Sequence, residues 1–127
     1  MTPKATILVI DDENMMGEML ARYLKREGFE CLLATNSEEG LSVMRRAKVD
    51  AILLDIKLGD EDGFEVLKLI KKENPDVPVV MLTGLGYDDK AMAEALELGA
   101  VGYLSKSADI TEVGITVRRV LPKPADA

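Results

Sequence analysis

Hydrophobic residues recur along the chain in short runs that alternate with amphipathic segments. The apolar runs predict buried β-strands near residues 5–10, 29–34, 50–55, 77–82 and 100–104. The intervening segments repeat their apolar residues at helical spacing, which predicts α-helices near residues 14–27, 37–47, 63–73, 88–98 and 109–120. Five strand–helix units with such apolar strands are typical of a parallel sheet covered by helices on both faces.

Residues at the ends of the predicted helices support these boundaries. Ser37, which is followed by two glutamates, is a favourable start for the second helix. Asp62 is expected to cap the third helix, and Asn74, which precedes a proline, is expected to end it. Gly28 and Gly99 stand where C-terminal caps of the first and fourth helices belong.

The predicted fold class is α/β, a flavodoxin-like (βα)5 three-layer sandwich whose parallel five-stranded sheet has the order 2-1-3-4-5. In this topology the winding reverses between strands 1 and 3, and the ligand crevice lies at their carboxyl ends. We expect residues 1–121 to form one domain and residues 122–127 to form a tail or the start of a linker.

Composition excludes several kinds of site. The formal net charge of −7 argues against direct nucleic-acid binding by this domain. No apolar run approaches the roughly 20 residues of a membrane span, and the absence of a signal-peptide pattern favours a cytoplasmic location. The chain has no histidine, and its one cysteine, Cys31, is expected to be a small buried side chain. A metal site would therefore use oxygen ligands, which favours Mg²⁺, Mn²⁺ or Ca²⁺.

Chemically useful side chains stand at the ends of four predicted strands. Asp11 and Asp12 follow the first strand, Asp55 ends the third, Thr83 follows the fourth, and Lys106 comes shortly after the fifth. Clustered carboxylates repel one another, and a divalent cation would relieve that repulsion. A metal-bound carboxylate can also accept a phosphoryl group, whose oxygens a lysine and a hydroxyl could hold.

Four stretches with these residues carry a family resemblance over about residues 5–120. They are Ile10-Asp11-Asp12-Glu13, Leu54-Asp55 with Asp62-Gly63-Phe64, Leu82-Thr83-Gly84, and Gly99-Ala100 through Tyr103 to Lys106. Each stretch alone is a weak signal, but the ordered set at these spacings is specific. Together they resemble the receiver domain of two-component response regulators, in the chemotaxis-regulator-like superfamily.

The resemblance implies a phosphorylation-activated signalling switch. Asp55 would accept a phosphoryl group from a sensor histidine kinase or a phosphotransfer protein. Mg²⁺, or Mn²⁺ in its place, would be held by Asp12 and Asp55 directly, by Asp11 through water, and by the backbone carbonyl of Lys57. Lys106 would pair first with Asp55 and later with its phosphoryl group. The domain would act on itself, by self-phosphorylation and self-dephosphorylation, and would not be an enzyme acting on other substrates.

The resemblance also implies how the signal leaves the site. Thr83 would move to bond a phosphoryl oxygen, and Tyr103 would turn inward behind it. The face formed by helix 4, strand 5 and helix 5 would then be read by an output domain or a target protein, or would form a phosphorylation-dependent dimer. Lys57 and Leu85 would flank the approach of water, which predicts slow self-dephosphorylation.

One position departs from the family pattern. The lysine is usually followed by a proline, often across a cis bond, but Ser107 follows Lys106 here. Since a cis bond to a non-proline residue costs about 2.5–4 kcal/mol, either strain is retained or the loop is redrawn. The stretch Gly102–Asp109 resembles receivers that are joined to a helix-turn-helix DNA-binding domain.

Three other functions remain as alternatives. A degenerate receiver would serve only for docking, but the acid set is intact. A magnesium-dependent phosphohydrolase with an aspartate nucleophile commonly has a second acid two residues later, where this chain has Lys57. A nucleotide- or flavin-binding module needs glycines or hydroxyls after strand 1 to receive phosphate, and this chain has acids there.

Overall fold

The computed structural model describes residues 4–84 and 88–122. The main strands are β1 (Thr6–Ile10), β2 (Glu30–Ala34), β3 (Ala51–Asp55), β4 (Val79–Thr83) and β5 (Gly102–Ser105). The helices are α1 (Asn14–Arg26), α2 (Ser37–Arg46), α3 (Gly63–Glu73), α4 (Asp89–Glu97) and α5 (Ile110–Val120). Every end of these elements lies within two residues of its predicted position.

The five strands form one parallel sheet in the order β2-β1-β3-β4-β5. This order confirms the predicted flavodoxin-like fold class. Strand β1 lies between β2 and β3, and Ile10 is the register partner of Leu54. The residues that follow this pair, Asp11 and Asp55, therefore emerge side by side at the point where the winding reverses.

The core has two layers because the sheet is covered on both faces. All five residues of β3 are buried, which explains why its sequence is continuously apolar up to Asp55. Leu8, Leu54 and Met81 belong to the layer beneath α2, α3 and α4, whereas Leu53 belongs to the layer beneath α1 and α5. The packed layers hold the strand ends in place, so the loops that follow them start from rigid positions.

The helix ends follow the sequence signals with one refinement. Gly28 and Gly99 adopt φ values of 96° and 102°, as expected for glycines that follow a helix C-terminus. The Asp62 carboxylate accepts a hydrogen bond from the Phe64 N–H and caps α3. The N-cap of α2 is Asn36, whose side chain accepts from the Glu39 N–H, so the predicted start at Ser37 is its first helical residue.

A short antiparallel hairpin lies between β3 and α3 and was not predicted from the sequence. It pairs Lys57–Leu58 with Glu61–Asp62, and Gly59 turns the chain at φ 58°. The carboxylate of Glu61 accepts hydrogen bonds from the backbone N–H of Ser37, at 2.9 Å, and from its hydroxyl. The hairpin is thereby fastened to the start of α2.

Two predictions from composition can be compared with the structure. Cys31 is buried, as predicted, and burial raises the pKa of its thiol to about 11. Within residues 4–84 and 88–122, no helix is long and apolar enough to cross a membrane.

Candidate functional site

The carboxyl ends of the central strands border an open cleft of about 300 Å³. Its walls come from the loop after β1, the hairpin after β3 and the ends of β4 and β5. The residues that line it are Asp12, Glu13, Asp55, Ile56, Lys57, Gly59, Thr83, Gly84 and Lys106. The fold thus brings most of the predicted site residues into one cleft.

Three carboxylates meet at the base of this cleft. Asp11 and Asp55 are buried, with 3% and 4% of their surface exposed, and Asp12 is exposed. One oxygen from each of the three lies within 4.8 Å of the others. The spacing is suitable for shared ligation of one divalent cation by oxygen atoms, the ligand type that Mg²⁺ prefers.

Asp11 and Asp55 are held in the same way. The Oδ1 atom of Asp11 accepts a hydrogen bond of 2.9 Å from the Glu13 N–H, and the Oδ1 atom of Asp55 accepts one of 3.3 Å from the Lys57 N–H. Each N–H belongs to the residue two positions after the aspartate. The backbone therefore fixes one oxygen of each carboxylate and leaves the Oδ2 atoms to contact Lys106.

Lys106 supplies the positive charge beside these oxygens. Its Nζ atom lies 2.8 Å from Asp55 Oδ2, 3.0 Å from Asp11 Oδ2 and 3.0 Å from Glu13 Oε1, and only 8% of its side chain is exposed. The predicted pairing of Lys106 with Asp55 thus exists in the geometry. Glu13 had no assigned role in the sequence; its acidity beside the aspartate pair was the only signal.

The pKa values of the central pair reflect burial and mutual attraction. Burial raises the pKa of the Asp55 carboxyl, and Lys106 opposes that rise. Burial disfavours the ammonium form of Lys106, but its hydrogen bonds to Asp55 and Glu13 and its ion pair with Asp11 outweigh burial and raise its pKa above the ordinary value. Lys106 is therefore a permanent cation at physiological pH, with a location set by its carboxylate partners.

The three aspartates form an acid cluster, and one of its buried oxygens lacks a hydrogen bond that would offset its loss of contact with water. Asp11 Oδ2 is buried and, among the described residues, is the single buried side-chain polar atom that accepts no hydrogen bond of good geometry. Its compensation is the charge of Lys106 at 3.0 Å. A buried carboxylate oxygen with spare acceptor capacity, next to two further aspartates, fits a cation ligand. The residues present therefore suit Mg²⁺ or Mn²⁺.

The remaining predicted site residues surround this cluster. Thr83 ends β4, is 6% exposed and lies in the cleft wall. Tyr103 is 9% exposed and packs in the core layer beneath α2, α3 and α4. Lys57, whose backbone carbonyl is the predicted fourth metal ligand, lies in the hairpin at the cleft. Leu85, which is predicted to shield the water path, lies outside the described residues.

The loop after β5 shows how the departure from the family pattern is accommodated. No peptide bond within the described residues is cis, so Lys106 and Ser107 are joined by a trans bond. The loop is therefore redrawn, the second of the two outcomes that the sequence left open. Lys106 nevertheless reaches the carboxylates of Asp55 and Asp11.

The arrangement of these groups can be compared with known proteins. Residues 7–118 match the family described as "Response regulator receiver domain". The chain belongs to this family. Receiver domains are signalling domains of two-component systems and are not typical enzymes, which agrees with the class of function that the sequence indicated.

Individual receivers show the same relationship. The chain is 36% identical over 126 residues to the phosphate regulon transcriptional regulatory protein PhoB of Pseudomonas aeruginosa, covering 96% of this chain and 55% of that protein. It is 32% identical over 116 residues to sporulation initiation phosphotransferase F of Bacillus subtilis, covering 91% of this chain and 93% of that protein. The structure of the chemotaxis protein CheY4 of Vibrio cholerae superposes with a TM-score of 0.86 at 28% identity, covering 94% of this chain and 100% of that one.

The relatives differ in length from this receiver. The chain spans about half of PhoB, and it spans 49% of the probable transcriptional regulatory protein TcrX of Mycobacterium tuberculosis, to which it is 34% identical. The similarity therefore concerns the receiver alone.

Proposed function

We propose that this receiver domain accepts one phosphoryl group on Asp55 in a Mg²⁺-dependent reaction and acts as a phosphorylation-driven switch. The observation that carries the proposal is the setting of the Asp55 carboxylate. It is buried at the switch point of the sheet, with Oδ1 on the Lys57 N–H and Oδ2 on the Lys106 ammonium, and it lies beside Asp11 and Asp12. This setting orients a carboxylate toward an open cleft and supplies charge for an incoming anion.

The proposed reaction is a transfer of the phosphoryl group to a carboxylate. An oxygen of Asp55 attacks the phosphorus of a phosphohistidine, the P–N bond breaks, and the imidazole nitrogen keeps the electron pair. The product is an acyl phosphate on Asp55. Lys106, already 2.8 Å from Asp55 Oδ2, is placed to donate to a phosphoryl oxygen as negative charge moves onto Asp55.

The metal has a defined place in this proposal. Asp11, Asp12, Asp55 and the backbone carbonyl of Lys57 would hold Mg²⁺ or Mn²⁺, with Asp11 acting through water. When bound, the cation would neutralise phosphoryl oxygens and reduce their repulsion by the acid cluster. The support is the oxygen-only donor set and the undercompensated Asp11 Oδ2 atom.

The proposed output is a change at the face formed by α4, β5 and α5. Thr83 is the register partner of Ser105, and Tyr103 lies two residues earlier on the same side of β5. A phosphoryl oxygen that attracts the Thr83 hydroxyl would alter the packing at Tyr103. Because Tyr103 is only 9% exposed, the change would be a repacking within the core layer, with little further burial.

The proposed setting is a two-component pathway in the cytoplasm. A sensor histidine kinase or a phosphotransfer protein would supply the phosphoryl group. An output domain or a separate target would read the altered face, or the domain would dimerise through it. The names of PhoB and TcrX as transcriptional regulatory proteins support an output in transcription, with residues 1–121 as the receiver and 122–127 as a tail or linker. The receiver itself would not contact nucleic acid.

The phosphoacceptor is tested by substitution of Asp55. Incubation with Mg²⁺ and acetyl phosphate should add one phosphoryl group per chain, and hydroxylamine should release it because it is an acyl phosphate. Asp55→Asn should take up less than about a tenth of an equivalent. The matched control is Asp76→Asn, in the exposed turn before β4, which should behave like the wild type.

Two results would count against the proposal. A full equivalent on Asp55→Asn would mean that another residue is the acceptor. A wild-type protein that takes up no phosphoryl group from acetyl phosphate or from a phosphorylated kinase would favour the docking-only receiver. Rapid release of inorganic phosphate over many turnovers would instead favour the phosphohydrolase.

A further inference from the structure

The backbone around Lys106 is fixed by two hydrogen bonds that connect it to the end of the sheet. The Lys106 N–H donates to the Thr83 carbonyl at 2.7 Å, and the Ala108 N–H donates to the Ser105 carbonyl at 3.1 Å. The first bond extends the pairing of β4 with β5 by one residue. The second closes a turn over Lys106 and Ser107. The lysine therefore leaves the sheet at a defined point.

A pair of serine side chains adds a second constraint to this turn. The Ser105 Oγ atom accepts a hydrogen bond from the Ser107 N–H at 3.2 Å and lies 2.7 Å from the Ser107 Oγ atom. Ser105 is 6% exposed, whereas Ser107 is exposed. We call this pair the serine clamp. A proline at position 107 has no N–H, so the clamp requires a different residue there.

The serine clamp flanks Lys106, whose side chain reaches the buried carboxylates. Lys106 lies between the two serines, and its ammonium contacts Asp55 Oδ2 at 2.8 Å and Asp11 Oδ2 at 3.0 Å. A lysine side chain has four flexible bonds, and holding it in one conformation is entropically unfavourable. A fixed backbone at Lys106 reduces the conformational entropy that its side chain loses when it contacts the two carboxylates.

The same two carboxylates are the proposed ligands of the divalent cation. The Oδ1 atoms of Asp11 and Asp55 already accept hydrogen bonds from backbone N–H groups. Lys106 and a cation would therefore both contact the Oδ2 atoms. Two cations at that position repel each other. A lysine held firmly on the carboxylates should therefore weaken Mg²⁺ binding while it supports the incoming phosphoryl group.

We propose that Ser107 is a positioning residue, which acts through the serine clamp to hold Lys106 against Asp55 and Asp11. This inference rests on the proposed phosphoacceptor function for one of its two consequences and on the proposed Mg²⁺ site for the other. Loss of the clamp should slow phosphorylation, because Lys106 is less often in place. It should also strengthen Mg²⁺ binding, because the competing ammonium is released. The phosphorylation rate should thus fall while the Mg²⁺ affinity rises. A general loosening of the site would instead lower both the rate and the affinity.

The test compares Ser107→Ala with the conservative variant Ser107→Thr, which keeps the hydroxyl. Mg²⁺ affinity is measured by calorimetry without a phosphodonor, and the initial rate of phosphorylation is measured with acetyl phosphate at saturating Mg²⁺. Ser107→Ala should bind Mg²⁺ about two- to fivefold more tightly and be phosphorylated about three- to tenfold more slowly, the range expected for loss of one side-chain hydrogen bond. Ser107→Thr should restore both values.

Two further variants complete the design. Ser42→Ala, in α2 away from the cleft, is the matched control and should leave both values unchanged. Lys106→Met tests the competition itself and should raise Mg²⁺ affinity at least as much as Ser107→Ala. If Ser107→Ala unfolds, Ser105→Ala replaces it; this variant removes the contact between the two hydroxyls and also the acceptor of the Ser107 N–H.

The outcomes separate this inference from the proposed function. Unchanged values in Ser107→Ala, or a loss of both Mg²⁺ affinity and rate, would overturn the positioning role. An unchanged Mg²⁺ affinity in Lys106→Met would overturn it as well. If the wild type is not phosphorylated at all, the proposed function fails, and the Mg²⁺ affinities of Ser107→Ala and Ser107→Thr still decide whether the clamp holds Lys106.

Discussion

Asp12 differs from the other two aspartates in its exposure to solvent. Asp11 and Asp55 are buried, have one oxygen fixed by a backbone N–H and share the Lys106 ammonium. Asp12 stands at the open side of the cleft, so its charge adds repulsion to the cluster and its carboxylate can rearrange toward a cation. These differences suggest separate roles, with Asp12 contributing mainly to the metal.

Replacement of Asp12 should therefore separate metal binding from folding. Asp12→Ala is expected to lose at least about tenfold in Mg²⁺ affinity, since even outer-shell partners of metal sites are worth about 10–100-fold. In EDTA its free energy of unfolding should be unchanged or slightly higher, because one like charge is gone. Calorimetry and urea denaturation measure the two quantities. Asp60→Ala, in the hairpin turn, is the control for loss of one nearby charge, and equal Mg²⁺ affinities in the two variants would contradict the proposed site.

At the scale of elements, the hairpin after β3 depends on the start of α3. Gly63 begins α3, and its N–H donates to the Ile56 carbonyl at 2.6 Å. A Cβ atom at this position would overlap the Asp55 carbonyl oxygen and lie 2.5 Å from the Ile56 carbonyl oxygen. The chain thus returns to the end of β3 after the hairpin, which keeps Lys57 in the cleft wall beside Asp55.

A methyl group at position 63 should therefore be costly. Gly63→Ala is expected to lose about 3 kcal/mol of stability, the upper part of the range for overpacking, because the atoms that it meets are backbone and cannot turn away. Gly17→Ala is the matched control. It lies inside α1, its added Cβ would meet Leu33 at an ordinary 3.6 Å, and alanine is the better helix former. Urea denaturation should show a loss in the first variant and none in the second; equal stabilities would refute the packing argument.

The coupling of the cleft to α4 and β5 is a second prediction at this scale. Thr83→Ala should still accept a phosphoryl group on Asp55, at a rate within about tenfold of the wild type, because the hydroxyl is not the nucleophile. It should lose the phosphorylation-induced chemical-shift changes at Tyr103 and along α4, which NMR measures. Thr83→Ser keeps the hydroxyl and should retain them. Equal shift changes in the alanine variant and the wild type would show that the signal leaves by another route.

For the whole molecule, the net charge of −7 and the position of the acid cluster determine the response to cations. A cation that binds only the folded state stabilises it by mass action, by about 2.7 kcal/mol at a concentration of 100 times its dissociation constant. The acid cluster of Asp11, Asp12 and Asp55 forms only when β1 and β3 are paired, so the unfolded chain has no equivalent site.

Thermal unfolding should therefore respond to Mg²⁺ more than to ionic strength. The midpoint of the wild type should rise by several degrees in millimolar MgCl₂ compared with NaCl of equal ionic strength. MnCl₂ should have a similar effect because it uses the same oxygen ligands. Asp12→Ala should show the NaCl response in all three salts. A rise of equal size in that variant would mean that general screening of the acidic surface stabilises the protein.

The local pattern of the sequence determined the elements and their order. The apolar run from Ala51 to Leu54 specifies a strand buried on both faces, and the parallel sheet buries it. Gly28 and Gly99 mark helix ends because only a residue without a side chain readily adopts positive φ. The connection rules for parallel strands then place Asp11 and Asp55 at neighbouring strand ends.

Tertiary structure decided how the polar side chains contact one another within the site. Lys106 meets Glu13 across 93 positions of the sequence, and Glu61 meets Ser37 across 24. Contacts of this kind depend on the exact position of each loop relative to the ends of the strands. Local periodicity in the sequence does not encode that position. The hydrogen bond from the Lys106 N–H to the Thr83 carbonyl is a further example, because it forms only when β5 ends beside β4. Strand order follows from the apolar pattern of the sequence and the connection rules for parallel strands. The arrangement of charged side chains around Asp55 follows from tertiary packing.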